Sequence, residues 1–88
     1  MTVPNDTLSA SGDWREYTAT DMGDGLDLVA LGGGRLARTI ILLEDGDLLA
    51  CNAHGETRHL HNLPAGFAHV GQCSRIDAGQ QAAIIVYW

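Results

Sequence analysis

The chain has 88 residues, five of them basic (all arginine) against 11 acidic, for a formal charge of −6, and only 6% are aromatic. That length fits a single small domain. The absence of lysine excludes a phosphate-binding P-loop, a Schiff base and a lysine general base, and the acidic surplus argues against a nucleic-acid partner, whose phosphates are met by cations.

Residues 1–25 are polar, with Pro4, serine and threonine clusters and no sustained hydrophobic period. This is the composition of an extended or flexible arm preceding a β-domain at 26–88. Trp14 and Tyr17 interrupt the polarity and are the candidates for docking the arm, because aromatic rings carry large apolar area. No charged-then-apolar signal pattern opens the chain and no apolar run approaches the ~20 residues of a membrane span, so synthesis in the cytoplasm and no membrane partner are expected. Asp21, Asp24 and Asp27 lack the alternate-residue spacing and closing glutamate of a calcium loop and read as solvated turn acids.

Leu26–Leu31 reads as a short strand closed by the flexible Gly32-Gly33-Gly34 turn, which does not complete a dinucleotide-binding fingerprint. The β-branched and leucine run Leu36–Leu43 leads into Glu44-Asp45-Gly46-Asp47, and an Asp-Gly pair between apolar runs predicts a tight hairpin. Leu48–Ala53 returns, His54-Gly55 makes a second tight turn, and Glu56–Leu63 is the third strand of a meander. Pro64 and Gly66 then break the ladder. Phe67–Ile76 and Ala82–Trp88 are two further strands, joined by residues 77–81. The sum is an all-β fold: a small antiparallel meander or sandwich of five to six short strands with an extended N-terminal arm.

Ile84-Ile85-Val86-Tyr87-Trp88 does not alternate; it is apolar on both faces. A half-solvated antiparallel strand alternates, so this segment calls for cover on both sides, and a second subunit is the expected source. These five residues are therefore the candidate subunit interface of a homo-oligomer.

His59 and His61 lie two apart on a strand and share a face, a spacing that can supply two metal ligands, with Cys51, His54, His69 or Cys73 as candidates to complete the set. A two-residue turn at His54-Gly55 sets Ala50 opposite His59, Leu48 opposite His61, and Cys51 opposite Arg58 on the other face. That register separates the nearest thiol from the histidine pair, so no metal and no other cofactor is expected. Cys51 and Cys73 are too few for a disulfide scaffold and read as small buried hydrophobes. A cysteine–histidine pair is combinatorially available, but no motif sets a nucleophile at a helix start or a sharp elbow, so no enzyme is expected.

The ordered series Arg38-Thr-Ile-Ile-Leu, Asp45-Gly-Asp-Leu48, Thr57, Asn62-Leu-Pro-Ala-Gly66, Val70, Arg75-Ile76, Ala78-Gly79 and Ile85-Val-Tyr-Trp88 is similar to the spike base proteins of tailed-phage-like particles, including the head spike base family of bacterial gene transfer agents. The resemblance runs from about Leu36 to Trp88; the histidines, the cysteines and the 1–25 arm depart from it. It implies a non-enzymatic structural protein at the surface of a virion or virus-like particle, made in the bacterial cytoplasm. It implies a homo-oligomer, a pentameric ring being one arrangement, docked on a capsid vertex and carrying a receptor-binding spike fibre. A head decoration or tail-associated structural protein is the alternative within that class. A small metal- or ligand-binding β-module centred on His59 and His61 is the alternative outside it.

Overall fold

The computed structural model describes residues 13–88. The fold is all-β, as the turn spacing predicts, and every strand pairing is antiparallel. Seven strands form one sheet: β1 (Trp14–Tyr17), β2 (Leu26–Asp27), β3 (Ala37–Leu42), β4 (Gly46–Asn52), β5 (Thr57–Leu63), β6 (Ala68–Ile76) and β7 (Ile84–Tyr87). The spatial order is β1-β7-β3-β6-β4-β5, with β2 pairing β6 beyond the end of β3. Among the described residues no helix is long and apolar enough to cross a membrane.

The order departs from a simple meander because β6 lies between β3 and β4. Asp45-Gly46 is therefore not a hairpin turn. A type I′ turn needs positive φ at both central residues, and among the described non-glycine residues only Asn62 has it. Instead the segment is pinned to its surroundings: Glu44 Oε1 accepts the Ala83 N–H at 2.9 Å and Asp45 Oδ1 accepts the Ala65 N–H at 2.8 Å.

Two local elements also differ from the sequence expectation. Leu26–Leu31 is a strand for two residues only and then a single helical turn, α1 (Leu28–Leu31). Asp27 causes the switch, its side chain accepting the Ala30 N–H as an N-cap. The polar arm ends earlier than residue 25. Trp14–Tyr17 forms the edge strand against β7, and Met22, in the following turn, is fully buried. The first 12 residues of the expected arm lie outside the described residues.

The core fills one face of the sheet. Ile40 and Leu42 of β3, Leu48 and Ala50 of β4, and Ile84 and Val86 of β7 meet Met22, Leu28, Cys73, Ile76 and Trp88. Both cysteines are free and buried. Burial, reinforced by nearby Cys51, pushes the Cys73 thiol above its ordinary range and keeps it protonated. Since only the thiolate is nucleophilic, a thiol reagent is expected to leave Cys73 largely unreacted in the folded protein. Two thiols should titrate once the chain is unfolded without reductant; a single or absent thiol would show a disulfide and contradict this geometry.

Candidate functional site

The sheet face opposite the core carries a row of side chains running across four strands. Register places Trp14 beside Tyr87, Tyr87 beside Thr39, and Thr39 beside Val70. The adjacent row on the same face is Glu16, Ile85, Ile41 and Ala68. Val70 is 78% exposed and Trp14 is 55% exposed, its ring 6.2 Å from that of Tyr87. Ile41, Ile85 and Tyr87 are half-buried. Glu16 is the only charge in the two rows, on a chain whose net charge is −6.

This geometry divides the five residues expected at a subunit interface. Ile84, Val86 and Trp88 are buried in the chain's own core and cannot reach a second subunit. The terminal segment is apolar on both faces because β7 is an inner strand, paired with β1 on one side and β3 on the other. Its inward residues build the core, while Ile85 and Tyr87 belong to the outward rows. Trp88 is fixed further by its indole N–H, which donates to the Leu28 carbonyl at 2.7 Å. Of the two arm residues, Trp14 stands in the outward row, whereas Tyr17 packs against the core.

A second cluster sits at the other end of the strand order, on β4 and the edge strand β5. The hairpin joining them has three loop residues, not two: the Asn52 N–H bonds to the Glu56 carbonyl at 2.9 Å, and Gly55 takes the left-handed conformation (φ 83°) that closes such a loop. The extra residue shifts the register by one. Leu49, not Ala50, faces His59; Ala50 faces Arg58 and Cys51 faces Thr57. A slip of one residue turns every side chain to the other face of a strand. The histidines thereby leave the side of Leu48 and Ala50 and join that of Asp47.

A bulge completes the cluster. Leu48 pairs with Leu60 and Gly46 with Leu63, so Asp47 alone opposes both His61 and Asn62. Asn62 adopts φ 54° there, and its N–H donates to Asp47 Oδ1 at 2.9 Å. The other carboxylate oxygen, Oδ2, lies 2.8 Å from His59 Nε2 and 3.5 Å from His61 Nδ1. The two imidazoles stack with centroids 3.9 Å apart. The Asn62 N–H first, and then the His59 hydrogen bond, hold the Asp47 carboxyl below its ordinary range. An ionised carboxylate only accepts, so the 2.8 Å contact is an N–H donated by His59 Nε2.

Sequence spacing identifies His59 and His61 but not Asp47, whose partnership depends on the loop length and the bulge. The other candidate ligands go elsewhere. Cys51 Sγ donates to Asp77 Oδ1 at 3.5 Å and sits 3.4 Å from the Thr57 hydroxyl, and His54 lies in the hairpin loop. His69 pairs with Ile40 on β3. Asp21 accepts hydrogen bonds from Thr18 and Asp27 caps α1, so these acids work locally.

No family model, no curated protein and no solved structure matches the chain.

Proposed function

We propose that the chain is a non-enzymatic structural protein that assembles with copies of itself through the outward face of β1, β7, β3 and β6. In this reading it is the oligomeric spike base of a tailed-phage-like particle, docked on a capsid vertex and carrying a receptor-binding fibre. The observation that carries the assembly is the pair of nearly uncharged rows around Trp14, Tyr87, Ile85, Ile41 and Val70. Two acidic copies repel at most of their surfaces, so self-association favours the face with least charge. A basic partner would select the acidic surfaces instead. The resemblance of Leu36–Trp88 to spike base proteins supports the particle assignment.

Val70→Asp tests the interface. At 78% exposure the substitution removes no core packing and should cost folding stability about 1 kcal/mol, the span of strand propensities. Within an interface it buries an unpaired charge, at a cost of about 3 kcal/mol or more, and so weakens association roughly 100-fold. Light scattering at micromolar concentration should give a multiple of 9.4 kDa for the parent chain and the monomer mass for the variant. A monomeric parent would refute self-assembly, and co-purification with head-decoration or tail components instead of capsid vertex and fibre proteins would refute the spike-base assignment.

A further inference from the structure

The geometry points to a divalent transition-metal site, of the zinc class, at Asp47, His59 and His61. This inference is independent of the assembly reading, because it uses β4 and β5 and none of the outward rows.

The donor chemistry comes first. Two imidazoles and one carboxylate are nitrogen and oxygen ligands suited to Zn²⁺, and three protein ligands leave a fourth position for water or an incoming group. Their candidate ligand atoms all lie within 4.8 Å of one another. Tetrahedral zinc, with bonds of about 2.0–2.1 Å, sets its ligand atoms about 3.3 Å apart. The separations of 2.8 and 3.5 Å from Asp47 Oδ2 bracket that value.

The scaffold supplies the rest. Asp47 is oriented by the Asn62 N–H on its other oxygen, the kind of supporting contact that fixes a metal-binding carboxylate. His59 is already turned toward Asp47 by their hydrogen bond. An imidazole that carries its proton on Nδ1 presents the Nε2 lone pair to the ion. His61 must move. Stacked rings aim their lone pairs side by side, whereas an ion lies in the plane of each imidazole that binds it. The His61 side chain is 65% exposed, so it can turn its ring toward the ion without disturbing the core.

The cluster occurs where the fold departs from a regular hairpin. A strict ladder would pair Asp47 with one residue. The bulge, with Asn62 in a left-handed conformation, sets it against two and brings the carboxylate to both histidines. Bulges recur where a strand must re-aim a side chain.

The test is a Zn²⁺ titration of tag-free full-length protein near neutral pH, competed against a chromophoric chelator. One Zn²⁺ per chain is expected. Loss of a supporting contact alone typically weakens a metal site about 10–100-fold, so His59→Gln and His61→Gln should each weaken binding by at least about 10-fold. Cys51→Ser, Cys73→Ser and His54→Gln should leave it unchanged. His61→Gln is the decisive variant, because His61 is exposed and the far-UV β signal should persist. In NMR spectra of the parent chain, the His59 and His61 ring resonances should shift with one equivalent of Zn²⁺ while those of His54 and His69 stay in place. No binding by the parent, or binding retained by the His59→Gln/His61→Gln double variant, would overturn the site.

Discussion

Replacing Trp88 with alanine is expected to lower the melting temperature by about 12–40 °C. Truncating a large buried aromatic typically costs about 3–5 kcal/mol, and in a domain of this size each kcal/mol is worth about 4–8 °C. Trp88 is 1% exposed, and truncation also removes its buried indole bond to the Leu28 carbonyl, which keeps only the Gly32 N–H at 3.0 Å. Total stability is on the order of 4–13 kcal/mol for 88 residues, so this one side chain accounts for a large share of it. Gly32 provides a built-in control. A Cβ on Gly32 would overlap the indole Cδ1 and Nε1, although its own backbone, at φ −91°, accepts any residue. Gly32→Ala should therefore destabilise the parent by about 1–3 kcal/mol through overpacking. In the Trp88→Ala background the same change should cost much less, since the indole overlap is gone and alanine restricts the unfolded chain, and only the tight 3.0 Å approach to the Arg35 carbonyl remains. Chemical denaturation of the four proteins in this cycle measures the coupling. A Trp88→Ala variant that keeps its melting temperature but loses oligomeric mass would return Trp88 to the subunit interface and refute the packing described above.

That reversal illustrates what a sequence reveals of such a fold. Strand positions were legible: the segments expected at 56–63, 67–76 and 82–88 correspond to β5, β6 and β7 within a few residues. Apolar runs bounded by glycine, proline and aspartate mark where a strand lies. Neighbours are a different matter. Whether Ile84–Trp88 is two-sided because a partner covers it, or because β7 is an inner strand, depends on pairings with Trp14–Tyr17 and β3 that no local pattern encodes. The candidate metal cluster was half legible for a related reason. His-x-His spacing is local, but Asp47 joins it only through a three-residue loop and a distant bulge. His54-Gly55 suits a two-residue turn as well as a three-residue one; the Asn52 side chain, which accepts the N–H groups of His54 and Glu56, favours the longer loop. Similarly, Leu26–Leu31 has strand composition, and Asp27 turns it into a helix by capping one turn.

The second large effect is expected at Gln80, a polar residue only 1% exposed. It stands where β6 has ended and β4 still needs a neighbour. Asp77 donates the last backbone bond, to the Leu49 carbonyl at 3.0 Å. Beyond it the Gln80 side chain takes over the ladder. Its Oε1 accepts the Leu49 N–H at 2.8 Å, and its Nε2 donates to the carbonyls of Asp47, at 2.8 Å, and Ala82, at 3.1 Å. The amide thus acts as a fragment of strand, satisfying part-buried backbone groups of β4 and the buried Ala82 carbonyl. Gln80→Leu preserves much of the volume and removes all three bonds. An unsatisfied buried group costs about 1–3 kcal/mol, so a loss of about 3–5 kcal/mol is expected from denaturant unfolding. Gln80→Glu separates hydrogen bonding from shape. A protonated carboxyl can still accept from Leu49 and donate to one carbonyl, whereas an ionised one faces two carbonyl oxygens. Its folded-state pKa is therefore raised above the unfolded value of about 4.3, and the variant should lose stability relative to the parent as the pH rises from that value. A flat difference across that window, or a Gln80→Leu protein as stable as the parent, would mean that the amide does not complete the ladder. Because Gln80 holds the backbone of Asp47 itself, Gln80→Leu should also weaken Zn²⁺ binding with His59 and His61 untouched.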